Sequence, residues 1–289
     1  MRIIKFITSN ILYLIWFILY FVIAWDVIFG IPNGFGLTLA IYTVSITIAL
    51  SPIGEQILRI IENCRLPRTQ QEKQYLIPIF QEVFEHAKDV NPKLKEDIQL
   101  YISDVMHVDS FAVGRKTIVI TKGAVETFTA DELKGILAHE LGHITYGHSK
   151  VILLTQIGNI FFIGIVWFFR VILYIIQFIS DEIFYRYFIG KVFSVLTFLT
   201  RIATEVVVFL FITLGEIILA LNSRAHDIQA DTFAFEAGYG KELISGLYLL
   251  QKISITGKAT ILERVKASHP HLAVRIEHIE ELADDTMEM

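Results

Sequence analysis

The sequence contains a single cysteine, Cys64, among 289 residues. One thiol cannot form an internal disulfide, which excludes a small fold held together by disulfides. Positive charge is also sparse: the chain has 25 lysine and arginine residues and 30 aspartate and glutamate residues, which gives a net charge of −5. Without a basic stripe along the chain, we expect no nucleic-acid partner.

Charged residues of any sign are few, at 19% of the chain, whereas 54% of the residues are hydrophobic and the mean hydropathy is +0.55. This composition is too apolar for an ordinary soluble domain and indicates membrane spans in a lipid bilayer. A helix of about 20 apolar residues crosses a bilayer. Four apolar runs are long enough to do so: 11–29, 35–53, 151–180 and 192–221.

Three of these runs allow another interpretation. The first follows Arg2 and Lys5, as the apolar core of a signal peptide does, but it is long and no small-residue cleavage site comes after it. We therefore favour a retained membrane anchor. The segment 151–221 could instead be a hairpin that lies partly in the membrane interface.

The distribution of basic residues predicts the orientation. Lysine and arginine flank the first two runs on their outer sides, while the turn between them contains neither. The positive-inside rule then places the N-terminus and the domain after residue 54 in the cytosol, and four spans return the C-terminus there. Within the last run, Arg201 and Glu205 are spaced for an i, i+4 ion pair, which we favour over a proton path.

The strongest chemical signal is His139-Glu140-x-x-His143. Thr129 and Glu132 form a capping-box pattern that predicts a helix over 129–150. On a helix, positions i and i+4 share one face, so the two imidazoles can bind one Zn²⁺ at about 2.0–2.1 Å. Glu140 lies about 100° further round and can act as general base toward a water molecule.

A catalytic zinc ion usually has a third protein ligand. Two carboxylates follow the last apolar run, Asp227 and Asp231, again spaced i, i+4 on a predicted helix over 222–238. One can bind the metal, and the other can accept the N–H of a ligating histidine and fix its tautomer. His86, His107 and His148 lack ligand spacing, so we expect them to be structural or solvated.

Between the membrane anchor and the metal motif, the pattern predicts an amphipathic helix over 75–90 and three short strands: 98–102, Ser110–Val113 and Thr117–Thr121. An edge strand beside the metal helix could bind an extended substrate through its free backbone groups, although a purely structural strand is an equal alternative. The residues assigned to this docking edge are Phe111, Ala112, Val113 and Gly114.

The motif H-E-L-G-H, followed by two apolar runs and S-R-x-x-acid-x-x-A-D, resembles the HtpX-type membrane zinc endopeptidases, which are relatives of the prenyl-protein CAAX endopeptidases. The segments 111–115 and 121–123, Ser268-His269-Pro270 and Arg275-Ile276 resemble that family too. The resemblance implies a zincin-type metallopeptidase fold whose two metal-binding helices are separated by a hydrophobic hairpin.

The resemblance also implies roles for individual residues. Asp227 stands at the third-ligand position, where the family usually has Glu, and Asp231 takes the role of orienting a ligating histidine. Because Asp is one methylene shorter, either the helix lies closer to the metal or another group, such as the adjacent His226, takes its place. By the same resemblance, His269 could be a catalytic residue that approaches the zinc or stabilises the tetrahedral oxyanion, or it could simply precede the helix that Pro270 begins.

The sequence therefore predicts a mainly α membrane protein with a small β-sheet and about four transmembrane helices. The predicted parts are a two-helix anchor (1–54), a first cytosolic metallopeptidase part (55–150), a transmembrane hairpin (151–221) and a second metallopeptidase part (222–289). The predicted function is zinc-dependent endopeptidase activity on polypeptides at the cytosolic membrane face, in membrane-protein quality control. The alternatives are a CAAX-type processing peptidase and an inactive zinc-bound scaffold. The oligomeric state is not indicated.

Overall fold

The computed structural model describes residues 34–157, 160–179, 188–254 and 272–288, together with Ile15, Ile18 and Glu182. Within these ranges the chain is mostly helical and contains one four-stranded sheet. The helices are α1 (Gly34–Ala49), α2 (Pro52–Ile61), α3 (Gln70–Val90), α4 (Lys122–Thr127), α5 (Ala130–Tyr146), α6 (His148–Gln156), α7 (Ile160–Ile179), α8 (Phe188–Glu236), α9 (Gly240–Ser254) and α10 (Leu272–Glu288). The strands are β1 (Cys64–Arg65), β2 (Gln99–Ser103), β3 (Ser110–Val113) and β4 (Thr117–Thr121).

The sheet has the order β1-β2-β4-β3, so β3 lies at one edge. Strand β4 pairs parallel to β2 and antiparallel to β3, and all five of its residues are buried, as its inner position requires. The predicted strands β3 and β4 are confirmed residue for residue, and β2 is shifted by one residue. The predicted helix 75–90 is confirmed as α3, which begins earlier because Thr69 and Glu72 form a capping box.

The turn between β3 and β4 depends on Gly114. Its φ of +63° is in the left-handed region, where a side chain is strained. A Cβ at this position would also lie 2.2 Å from a carboxylate oxygen of Glu55. That carboxylate accepts a hydrogen bond from the backbone N–H of Arg115 at 2.7 Å, so helix α2 is bound directly to the hairpin tip.

Helix α5 lies at the centre of the main hydrophobic core, where it contacts α3, α8, α9 and β3. Leu133, Leu137 and Leu141 form its fully buried face. Two glycines allow neighbouring helices to approach closely. A Cβ on Gly135 would lie 2.3 Å from the Leu243 backbone N of α9, and one on Gly142 would lie 2.9 Å from Cα of Ala230 in α8.

Helix α8 runs without interruption for 49 residues. It therefore continues through the predicted boundary at residue 221 and carries both the apolar segment 192–221 and the two candidate carboxylates. Arg170 of α7 forms its ion pair with Glu205 of α8. The guanidinium of Arg201 instead lies 5.6 Å from the centre of the Tyr174 ring, so the predicted Arg201–Glu205 pair is replaced by one that links two helices.

The predicted spans are only partly covered by the described residues. Most of the run 11–29 lies outside them. In the described part of the chain, no single helix meets the length and hydropathy that a membrane crossing requires. One pair of helical segments meets them together, Leu39–Ala49 and Pro52–Ile61, with a bend of 75° between them.

Candidate metal centre

Helix α5 holds the two motif histidines in one buried position. The helix begins with the predicted capping box between Thr129 and Glu132, and it ends at Gly147, whose φ of +80° terminates it in a left-handed cap. The rings of His139 and His143 meet edge to face with 4.7 Å between their centres. Their Nε2 atoms are 3.1 Å apart.

Helix α8 brings Asp227 to the same point. Its side chain is fully buried, and its Oδ1 lies 3.3 Å from Nε2 of His143. One ligand atom each from His139, His143 and Asp227 lie within 4.8 Å of one another. The close approach of the two helices at Gly142 allows the short aspartate side chain to reach the histidines.

This donor set fits a zinc-sized cation. Two donor atoms bound tetrahedrally at about 2.0–2.1 Å lie about 3.3 Å apart. The separations of 3.1 Å between the imidazole nitrogens and 3.3 Å between His143 and Asp227 are close to that value. Two imidazoles and one carboxylate leave a fourth position for water or substrate, as in catalytic zinc sites.

The second carboxylate, Asp231, contacts the other ring nitrogen of His139. Its Oδ1 lies 2.8 Å from Nδ1 of His139. Arg275 of α10 holds the same carboxylate with two hydrogen bonds, of 2.8 Å from Nε and 2.6 Å from an Nη. Burial alone would raise the pKa of Asp231, but Arg275 and His139 outweigh it and lower that pKa to about 2. Asp231 is therefore an anion that can accept the Nδ1–H of His139 and leave Nε2 free for a metal.

Arg275 was not among the predicted site residues. Sequence reasoning placed it only within the family resemblance, because no local pattern indicates that a residue 44 positions beyond Asp231 returns to it. Its side chain is 5% exposed, and a buried arginine without a carboxylate partner would be costly, so the ion pair binds α10 to the metal centre.

Glu140 is buried beside the two histidines and accepts a hydrogen bond from Ser110. The distance from the Ser110 hydroxyl to the Glu140 Oε1 is 2.7 Å. Because Ser110 is the first residue of β3, this bond fixes the start of the edge strand next to the candidate base. Sequence analysis missed Ser110, since a serine at the start of a strand carries no chemical signature by itself.

The residues of the predicted docking edge come directly after Ser110 in the chain. Phe111 is half-buried, whereas Ala112 and Val113 are buried within the sheet and beside the helices. The backbone of Gly114 is held by Ser149 of α6, whose hydroxyl donates to the Gly114 carbonyl at 2.6 Å. The strand therefore lies at the sheet edge on the side of Glu140. His269, the other predicted catalytic residue, lies outside the described residues.

His148 is a buried structural residue, one of the two alternatives predicted for it, and its ring also contacts the candidate centre. Its Nδ1 lies 3.2 Å from Nδ1 of His143, and its Nε2 lies 3.2 Å from Oε1 of Gln229. The ring stacks on His226 with 3.8 Å between centres and an interplanar angle of 4°. Burial and the neighbouring imidazoles lower the pKa of His148 to about 2, so the ring is neutral. No pattern in the sequence indicates this contact, because it depends on the left-handed cap at Gly147, which redirects the chain.

Fold and site together define a metallopeptidase built on an H-E-x-x-H helix. The family model described as "Peptidase family M48" matches residues 70–283, about three quarters of the chain. The chain therefore belongs to that family. It is 26% identical to Protease HtpX of Pasteurella multocida (strain Pm70) over 267 residues, which covers 86% of this chain and 84% of the relative. It is 28% identical to a Protease HtpX homolog of Methylacidiphilum infernorum (isolate V4) over 225 residues, 70% of this chain and 71% of the relative.

The predicted resemblance is thus confirmed: the protein is an HtpX-like metalloendopeptidase, a hydrolase of peptide bonds. The structure is also similar to the crystal structure of S. mikatae Ste24p, with a TM-score of 0.49 and 19% identity, over 96% of this chain and 64% of that one.

Proposed function

We propose that the protein is a membrane-integrated zinc endopeptidase in which His139, His143 and Asp227 hold the metal and Glu140 is the general base. The observation that carries this proposal is the convergence of three ligand atoms, from the buried His139 and Asp227 and the partly buried His143, within 4.8 Å of one another. Two imidazoles and a carboxylate favour zinc over the harder cations that prefer oxygen ligands. Such an ion, when bound, polarises a peptide carbonyl and activates water.

The protein residues supply the rest of the chemistry. Glu140 accepts a proton from the attacking water at a carboxylate oxygen and then delivers it to the leaving amine. The Ser110 hydroxyl holds Oε1 of Glu140 in place. Asp231 and Arg275 keep the His139 ring oriented with Nε2 toward the metal. An extended substrate pairs with the edge of β3 at Phe111, Ala112 and Val113, which brings a peptide bond next to Glu140. Gly114 ends this docking edge, because its N–H and C=O already bond to Ser149.

Replacement of the base tests the mechanism. Glu140→Gln keeps the size of the side chain but cannot accept a proton, so we expect casein cleavage to fall about 10²- to 10⁴-fold. The zinc content, measured on the same purified protein, should stay at one ion per chain. Cleavage at the wild-type rate would overturn the assigned mechanism, and loss of zinc would show that the variant is damaged in binding.

The third ligand is tested by a matched pair of substitutions. Asp227→Asn removes the anionic ligand with little change in size, and we expect bound zinc to be lost. His226→Phe keeps an aromatic ring that can stack on His148, and we expect zinc to be retained. The opposite result, with zinc lost only in His226→Phe, would assign the ligand to His226.

The membrane assignment rests on the four apolar runs and on the exposed apolar side chains of α7 and α8. Trp167, Phe168, Phe178, Phe209 and Leu210 are each more than half exposed. Such surfaces are stable in lipid and unfavourable in water. We propose that 1–54 is an anchor, that 151–221 is a transmembrane hairpin, and that 55–150 and 222–289 lie in the cytosol with both termini. Fusions of a reporter that is active only in the cytosol, placed after residues 1–34 and at the C-terminus, test this topology.

The proposed biological role is quality control of membrane proteins, as the resemblance to HtpX-type enzymes suggests. A CAAX-type peptidase would require a prenyl group on its substrate, so cleavage of non-prenylated membrane proteins argues for the first role. A catalytically inactive scaffold would bind zinc without cleaving any substrate. For His269 we keep the catalytic role as a proposal, tested by His269→Ala with zinc content measured in parallel.

A further inference from the structure

We infer that His148 and Gln229 fix the tautomer and orientation of His143, and so act as positioning residues for the metal. This inference rests on the proposed role of His143 as a metal ligand. Its basis is a continuous chain of three side chains. His143 Nδ1 lies 3.2 Å from His148 Nδ1, and His148 Nε2 lies 3.2 Å from Gln229 Oε1.

The proton positions follow from the chemistry of these atoms. The Gln229 carbonyl oxygen only accepts, so His148 Nε2 must carry a proton. A neutral imidazole carries one proton, so His148 Nδ1 is an acceptor. His143 Nδ1 must then be the donor, which leaves its Nε2 with a free lone pair. That atom is the one 3.1 Å from His139 Nε2 and 3.3 Å from Asp227 Oδ1.

Burial makes this arrangement specific. His148 is 6% exposed, so water cannot easily replace it as the acceptor for His143. The parallel stack on His226 holds the plane of the ring. An imidazole thus occupies the place where a carboxylate or carbonyl usually orients a zinc-bound histidine, whereas His139 has the usual carboxylate in Asp231. A carboxylate thus orients His139, whereas an imidazole orients His143.

The test compares zinc affinity among variants of the full-length protein in detergent, by competition with a chelator. His148→Phe keeps an aromatic ring for the stack on His226 but removes both nitrogens, and we expect zinc binding about 10- to 100-fold weaker. His148→Asn places an amide oxygen two bonds beyond Cβ, as Nδ1 is in histidine, and we expect it to recover most of the affinity. Gln229→Leu removes the acceptor for the His148 Nε2–H at similar size, and we expect zinc binding to weaken in the same direction as in His148→Phe.

A second measurement reports the tautomer without zinc. In metal-free protein labelled with ¹⁵N at histidine, NMR should show His143 protonated at Nδ1, and this state should be lost in His148→Phe. Equal zinc affinity in the wild type and His148→Phe, or protonation of wild-type His143 at Nε2, would overturn the inference. A wild type that bound no zinc would overturn the proposed function. The NMR measurement on metal-free protein would still test the tautomer of His143, so the two failures are distinguishable.

Discussion

At the scale of single residues, each reactive side chain of the candidate centre is held by at least one neighbouring side chain. Glu140 is held by Ser110, His139 by Asp231, and His143 by His148. A side chain with a buried partner loses less freedom when it acts, because its orientation is already set by folding. Of these three neighbours, only Asp231 was indicated by the sequence; Ser110 and His148 were found from the structure.

The hydrogen bond from Ser110 to Glu140 can be tested by substitution. Ser110→Ala removes the hydrogen bond to the Glu140 carboxylate, and a hydrogen bond to a charged group contributes about 1.5–3 kcal/mol. We expect kcat to fall by at least about tenfold, with zinc content unchanged. Ser110→Thr retains a hydroxyl and is the matched control. Wild-type kcat in Ser110→Ala would show that the bond has no role in positioning the base.

At the scale of elements, the centre is formed where α5 and α8 touch. The helices can approach because Gly142 has no side chain, and the neighbouring position on α8 is the small Ala230. The family resemblance raised the question of how a short Asp227 could reach the metal. The 3.3 Å between Oδ1 of Asp227 and Nε2 of His143 supports the first alternative, and the paired substitutions Asp227→Asn and His226→Phe test it.

Gly142→Ala tests this contact. The added Cβ would lie 2.9 Å from Cα of Ala230 and 3.1 Å from its carbonyl oxygen, so the helices must separate. We expect zinc binding to weaken by at least tenfold and the thermal midpoint to fall, because backbone atoms cannot move aside as a flexible side chain can. Gly164→Ala in α7 is the control: no atom lies within 4 Å of the added carbon. A normal zinc affinity in Gly142→Ala would contradict the proposed geometry.

At the scale of the whole molecule, the metal centre joins distant parts of the chain. The proposed ligands come from α5 and α8, and the residues that contact them come from β3, α6 and α10. Any ligand that binds only the folded state stabilises it, by about 4 kcal/mol at a thousand times its dissociation constant. A metal held by both α5 and α8 should therefore stabilise the whole fold and not one helix alone.

Removal of the metal is the corresponding experiment. Chelation of the purified enzyme should lower its thermal midpoint by about 10 °C, and added Zn²⁺ should restore it. The midpoint of Asp227→Asn should not respond to either treatment. An unchanged midpoint for the chelated wild type would mean that the metal does not connect these helices.

The sequence alone determined the local parts of this protein. The H-E-x-x-H helix, its capping box and the strands Ser110–Val113 and Thr117–Thr121 follow from periodicity and from contacts within a few residues. The family could also be predicted, because its motifs are short and keep their spacing. These features depend on interactions between residues that are near one another in the chain.

Only the tertiary structure decided which distant residues meet. The hydrogen bond of Ser110 to Glu140 spans 30 positions, the contact of His148 with Gln229 spans 81, and that of Arg275 with His139 spans 136. Such contacts depend on how helices pack against one another, and packing depends on small differences such as the missing side chain of Gly142. The pairing of Arg170 with Glu205, in place of Arg201, has the same origin: ion pairs follow the distances set by packing.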